Sequence, residues 1–263
     1  MAFSATILGS GSTGNATLLS HGEAHVLLDA GLSGREICRR MLALGVAPEK
    51  LRGVVITHEH MDHTRGLRAL ARQLRLPVYV SEPTLESMVF GKELCRCERI
   101  ESGQQFELAG MTFLPFAVPH DAADPLAFVV SAAGQRLGLA MDLGYISGLV
   151  KERLTACDCL ILESNHDLEM LKVGPYPWAL KQRVMSRQGH LSNEAVAQFL
   201  AEDFDLRARF IYLAHLSKNN NHPDLAILAA SRALVSRCLS PEDVAARLRM
   251  SHQERSSQTA YLD

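Results

Sequence analysis

The hydrophobic pattern changes period several times along this chain, and the changes mark out its elements. "FSATILG" (3–9) reads as a strand, and "ATLLSHGEAHVLLDAG" (16–31) as a hairpin turning at His21, Gly22 and Glu23. "SGREICRRMLALG" (33–45) has helical spacing, with Ser33 as its cap and Gly45 as its stop. "RGVVITH" (52–58) is a buried strand. "DHTRGLRALARQLR" (62–75) is an amphipathic helix, with Leu67, Leu70, Ala71 and Leu74 on one face and Arg65, Arg68, Arg72 and Arg75 on a solvated one. Strand patterns return in "FELAG", "MTFLPFAVPH", "LAFVVSA" and "QRLGLAMD" between residues 106 and 142. The remainder alternates helices ("SGLVKERLTA", "SNEAVAQFLAEDF", "HPDLAILAASRALVSR") with strands ("CDCLILES", "RFIYLAH"), and "RLRMSHQE" (247–254) reads as a final strand. Strand-rich blocks interrupted by helices in both halves predict an α/β fold with two sheets sandwiched between helices. No repeat or linker divides residues 1–263, so a single domain is expected.

Composition adds little to this picture. With 47% apolar and 21% charged residues and a net charge of −2, the chain looks like an ordinary soluble protein. That charge exerts no global pull toward nucleic acid or membranes, so any such preference must be local. No apolar stretch approaches the ~18 residues of a membrane span. The N-terminus carries no basic-then-apolar leader, so the cytoplasm is the expected compartment. The C-x-C pairs Cys95/Cys97 and Cys157/Cys159 are too closely spaced for a structural zinc site, which favours two to four intervening residues. Reduced, structural thiols are expected instead. "GSGSTG" (9–14) spells a dinucleotide-binding fingerprint, but that motif needs a helix after its last glycine, and "NATLL" continues as a strand. A plain tight turn, or a loop offering N–H groups to a phosphate, are the readings left.

Chemistry concentrates in "VVITHEHMDH" (54–63). A helical zinc-protease motif would need histidine at position 62, which is aspartate. If the strand ends at His58, then His58 and His60 project to one side, and Asp62 and His63 follow where the next helix begins. Two imidazoles facing one point and a carboxylate plus imidazole facing another suit two divalent ions ~3.5–4 Å apart. The missing ligands have candidates just after predicted strands: His120, Asp142 and His215.

This ordered set resembles the metallo-β-lactamase superfamily: Asp29 in "LLDAGLS" as its first acidic motif, H-x-H-x-D-H at 58–63, then His120, Asp142 and His215. The resemblance implies the four-layer αββα sandwich of the metallo-β-lactamase fold. It also implies one metal on His58, His60 and His120, a second on Asp62, His63 and His215, and Asp142 bridging. Asp29 would lie beneath the loop and orient a ligand histidine. His60 stands where the di-iron oxygen reductases of the superfamily carry glutamate, which favours hydrolysis over redox chemistry. The donors suit zinc, manganese or iron.

The substrate is to be read from residues 163–193. Glu163 follows a strand and His190 precedes a helix, which has a plain reading as a rim carboxylate and a capping-loop histidine. The segment also resembles the nuclease branch that includes ribonuclease Z, where such a pair is a dyad. Histidine held cationic by a carboxylate can protonate a departing alkoxide. Asp62, Glu163 and His190 are then the catalytic groups. Between Met170 and Asn193 there is no Asp or Glu, while Lys172, Lys181, Arg183 and Arg187 surround Tyr176 and Trp178. Such cation–aromatic mixtures bind single-stranded nucleic acid; a surface helix with Trp178 packed inward is the alternative. Lys218 in "AHLSKNNN" adds a cation. Together with "GSGSTGN", "ESNHD" and "GHLSN", these motifs resemble the YycJ-type (WalJ) branch, departing at Asn219 where an acidic residue is expected. That resemblance implies a 5′-exonuclease on DNA. A thioester or lactone hydrolase of the same fold, and a non-catalytic metal-bound regulatory scaffold, are the rival readings. Oligomeric state is not legible.

Overall fold

The computed structural model describes residues 2–94 and 96–262; Cys95, of the first C-x-C pair, lies outside them. The chain forms two compact units: residues 1–117, 122–135 and 252–263, and residues 118–121 and 136–251.

In the first unit, β1 (Phe3–Gly9), β2 (Ala16–His21) and β3 (Ala24–Leu28) form an antiparallel run. The turn at Gly22 matches the expected hairpin, with φ 58° at that glycine. Helix α1 (Gly34–Ala43) is capped by Ser33, whose hydroxyl accepts from Glu36 N, and Gly45 follows its end at φ 75°. Strand β4 (Leu51–Val55) lies parallel to β3.

The expected helix over 62–75 is broken into α2 (Met61–Thr64) and α3 (Leu67–Leu74). At the break the backbone bonds outside the helix. Gly66 N donates to Ala30 O at 2.7 Å, and a Cβ on Gly66 would sit 2.1 Å from Leu32 O. Leu67, Leu70 and Ala71 nevertheless point into the core, and the four arginines are exposed, as the periodicity predicts. The sequence pattern missed β5 (Val78–Val80), α4 (Glu82–Ser87) and β6 (Cys97–Arg99); the two strands extend the sheet beyond β4. β7 (Phe106–Leu108), β8 (Met111–Ala117) and β9 (Leu126–Ala132) form an antiparallel meander. A C-terminal strand, Ala260–Leu262, pairs with β1, so the 247–254 segment is not the last strand.

In the second unit, β10 (Gln135–Ala140), β11 (Cys159–Glu163) and β12 (Phe210–Ala214) run parallel side by side. Their near-continuous apolar runs are buried on both faces, as parallel strands require. Helices α5 (Gly148–Leu154), α6 (Leu168–Val173), α7 (Trp178–Val184), α8 (Asn193–Glu202), α9 (Pro223–Ser236) and α10 (Pro241–Arg247) intervene along the chain. β13 (Leu248–Met250) completes the parallel run beside β12. Cys157 and Cys159 are buried free thiols, and burial pushes the Cys157 thiol up to about 12. None of the described helices is long and apolar enough to cross a membrane.

Candidate metal centre

In the first unit, Asp29 leaves β3 with a left-handed φ of 60°. That turn buries its carboxylate beneath the loop that follows β4. Oδ1 accepts from Thr57 N at 2.9 Å, and Oδ2 lies 2.7 Å from His63 Nδ1. The Thr57 hydroxyl donates to Asp29 and meets His58 Nδ1 at 3.0 Å. Both imidazoles therefore have Nδ1 held from below by the Asp29–Thr57 pair. His58 Nε2 lies 3.1 Å from His60 Nδ1, so these two nitrogens converge on one point. Glu59, between them, turns away: its Oε1 accepts from Ala123 N at 2.8 Å.

Asn15, unremarked as a single residue in the sequence, holds the other half of this loop. It is fully buried, and its backbone N donates to Asp62 O at 2.7 Å. Its Oδ1 accepts from Ser10 Oγ and Gly11 N, while Nδ2 lies 3.1 Å from His63 Nε2 and 3.4 Å from Asp62 Oδ2. The "GSGSTG" turn is thus a bracket for Asn15, and β2 rather than a helix follows it, which removes the dinucleotide reading. Gly31 is equally constrained, since a Cβ there would sit 1.6 Å from Asp62 O. Gly31→Ala should push Asp62 outward and destabilise the protein by about 1–3 kcal/mol or more, the usual range for overpacking. Urea denaturation of the variant beside wild type checks this, and an unchanged midpoint would contradict the close approach.

In the second unit, the parallel register of β10, β11 and β12 brings Asp142, Glu163 and His215 together at the strands' C-terminal ends. Asp142 and His215 both adopt left-handed φ, 56° each. Such backbone is uncommon for residues other than glycine and costs free energy that the surroundings must offset. Ligand-bearing atoms of Asp142, Glu163, His190 and His215 all lie within 4.8 Å of one another. His120 turns its Nδ1 to Gly189 O at 3.2 Å.

Glu163 is the hub. Its Oε1 lies 2.7 Å from His190 Nδ1 and 2.8 Å from His215 Nδ1, and its Oε2 accepts from Leu143 N and Leu191 N. Burial alone would raise its carboxyl, but the charge of His190 and the hydrogen bonds from His190 and His215 outweigh it and hold the group at about 2. For His190, burial pulls the imidazole down, yet the Glu163 charge and hydrogen bond prevail and leave it above the ordinary histidine value. His166, the histidine of "ESNHD", is instead buried and pushed down to about 4 by that burial.

A buried amide network supports this hub. Ser164 Oγ donates to Asn193 Oδ1 at 2.7 Å, Asn193 Nδ2 to Asn221 Oδ1 at 2.9 Å, and Asn221 Nδ2 to Ser164 O at 2.8 Å. Asn165 Nδ2 donates to His215 O at 2.9 Å. The motifs "ESNHD", "GHLSN" and "AHLSKNNN" therefore interlock as one scaffold. Their asparagines are the signal that sequence reasoning left unused.

The cations of the basic segment are less open than their sequence suggests. Lys181 is buried and its Nζ donates to Lys172 O at 2.7 Å, so its amine is already committed within the protein. Arg183 Nε meets Asp121 Oδ2 at 2.6 Å, an acidic neighbour distant in sequence. Trp178 is 62% exposed, contrary to the inward-packed alternative. Arg187 and Lys218 are exposed. Tyr145, absent from the sequence reading, lies beneath the Arg187 guanidinium, 4.1 Å from its carbon to the ring centroid.

Residues 24–216 match the family described as Beta-lactamase superfamily domain. The chain is 38% identical over 234 residues to Exodeoxyribonuclease YycJ of Bacillus anthracis, covering 87% of this chain and 88% of that one. It is 37% identical to Exodeoxyribonuclease WalJ of Streptococcus pneumoniae serotype 2, over 85% of each. Among solved structures, the metallo-beta-lactamase fold protein YhfI of Bacillus subtilis superposes with a TM-score of 0.76 over 100% of both chains, at 18% identity.

Proposed function

The chain belongs to the β-lactamase superfamily and has its fold of two mixed β-sheets flanked by helices, and from that premise we propose that it is a metal-dependent phosphodiesterase acting as a 5′-exonuclease on DNA. The relatives that carry the name exodeoxyribonuclease support the substrate class. We assign one divalent ion to His58, His60 and His120, a second to Asp62, His63 and His215, and a bridging role to Asp142. Donor chemistry supports this: His58, His63, His120 and His215 each have Nδ1 engaged by an orienting partner, and we take Nε2 as the ligand atom. Such a set of imidazoles and carboxylates suits zinc, manganese or iron. Bound there, the ions supply an activated water and offset charge on the phosphodiester.

The observation that carries the reading toward phosphodiesters is the Glu163–His190 contact. With Nδ1 held by Glu163, His190 keeps its transferable proton at Nε2 and gives it to the departing oxygen. A thioester or lactone has less need of that proton. We take the compartment to be the cytoplasm, where exposed and buried thiols such as Cys238 and Cys157 remain reduced.

The test is incubation of metal-loaded protein with end-labelled single- and double-stranded DNA and RNA, beside thioester and lactone substrates. Release of mononucleotides from the 5′ end of DNA is the expected result. Hydrolysis of thioester or lactone with all nucleic acids intact would overturn it.

A further inference from the structure

The cations of residues 172–187 differ in what they already hold. Lys172 pairs with Glu169 at 2.7 Å, Lys181 donates to a carbonyl, and Arg183 pairs with Asp121. Among the described residues Arg187 has no ion pair and no hydrogen bond, and its guanidinium lies over the ring of Tyr145. A guanidinium lying over a ring keeps its N–H donors at the open edge, the geometry that grips a phosphate through two parallel bonds. The ring also restricts the side chain's rotamers before any ligand arrives, so less freedom is lost on binding.

The backbone fixes where this pair stands. Tyr145 is three residues beyond Asp142, and Arg187 is three residues before His190. Three residues of extended chain span at most about 11 Å. The two segments touch: a Cβ on Gly144 would sit 2.3 Å from the Arg187 carbonyl carbon. Both are stapled to the segment that carries His120, through Gly144 N to Pro119 O at 2.9 Å and Asp121 N to Gln188 O at 3.1 Å. The pair is therefore tied by the backbone to the segments that carry Asp142, His190 and His120.

We propose that Arg187, oriented by Tyr145, is a phosphate-binding subsite that holds a second phosphate of the nucleic acid while the neighbouring linkage is cut. The inference rests on the phosphodiesterase reading and deepens it. A terminal 5′-phosphate and an internal backbone phosphate share this chemistry, and the length of chain alone does not separate them; the substrate ends do.

The experiment compares wild type, Arg187→Ala, Arg187→Lys, Tyr145→Ala and Tyr145→Phe as metal-loaded proteins. The substrates are oligonucleotides with a 5′-phosphate or a 5′-hydroxyl, and a nitrophenyl phosphodiester that offers only the scissile phosphate. Arg187→Ala should raise the oligonucleotide KM about 10-fold or more, the usual worth of a charge-assisted hydrogen bond, with a much smaller effect on the nitrophenyl substrate. The slope of log affinity against log salt should fall by the share of about one phosphate contact. Tyr145→Ala should lose part of the same effect and Tyr145→Phe should restore it, because the ring and not the hydroxyl orients the guanidinium. Arg187→Lys should recover charge but not the bidentate grip, and so fall between. A penalty confined to 5′-phosphorylated oligonucleotides assigns the terminal group; an equal penalty on both assigns an internal one. Unchanged oligonucleotide KM in Arg187→Ala, or equal losses on oligonucleotide and nitrophenyl substrate, would overturn the subsite. Failure of wild type to cut any oligonucleotide would instead overturn the parent reading.

Discussion

A His190→Ala protein should bind its full complement of metal yet cleave natural phosphodiesters ~10²–10⁴-fold more slowly, the usual worth of general acid catalysis. Glu163 sets the state of His190. Its carboxylate holds His190 Nδ1 at 2.7 Å and keeps the imidazole above the ordinary histidine value, against a burial that pulls it down. A sugar alkoxide is a poor leaving group and needs that proton, whereas a nitrophenolate departs without one. Hydrolysis of a nitrophenyl phosphodiester should therefore suffer far less. Steady-state rates on both substrates, with elemental analysis of the same samples, check this. Equal losses would mean that His190 binds phosphate or supports the loop. Glu163→Gln should behave differently, because the same oxygen also orients His215 at 2.8 Å. Loss of such an orienting partner costs about 10–100-fold in metal affinity, so this variant should impair both substrates.

Removing Asp142 should cost at least one divalent ion per chain and about 10²-fold or more in rate, since metal charge stabilisation is worth several kcal/mol. Asp142 sits beside both His190 and His215, with Oδ1 at 3.4 Å and 3.1 Å from their Nδ1 atoms. Its φ of 56° complicates an alanine, which tolerates the left-handed region less well than Asp or Asn. Asp142→Asn is the cleaner variant because it keeps the backbone preference while discarding the charge. Elemental analysis should find more than one ion per wild-type chain at saturation and fewer in the variant. Full occupancy in Asp142→Asn together with full occupancy in Asp142→Ala would remove the bridging role.

The elements that the sequence made legible are those long enough to show a period. The β2–β3 hairpin, α1 with its Ser33 cap, and the buried runs of β11 and β12 all follow from pattern alone. β5 and β6 are too short to carry a period, and the break at Gly66 goes with a hydrogen bond to Ala30 O, which no local pattern records. The site divides in the same way. Histidines after strands can be read in order, and so can a glutamate at the end of β11. What Glu163 does for His215 cannot, because it depends on the register of β11 against β12. Nor can the committed state of Lys181, whose chain folds back to a carbonyl nine residues earlier, or the Asp121 partner of Arg183. An absence of acidic residues in sequence was not an absence in space. Asn15 is the opposite case: the glycine-rich turn before it was conspicuous, and its meaning lies in the asparagine it positions.

Bound metal and phosphodiester cleavage should be linked in this protein. Metal-free protein should be titrated with zinc or manganese while bound ions per chain and release of 5′-nucleotides from end-labelled DNA are measured in the same samples. Release should be absent without metal and should rise as the second ion binds. Cleavage at full rate in metal-free protein, or intact DNA at two bound ions per chain, would contradict the account.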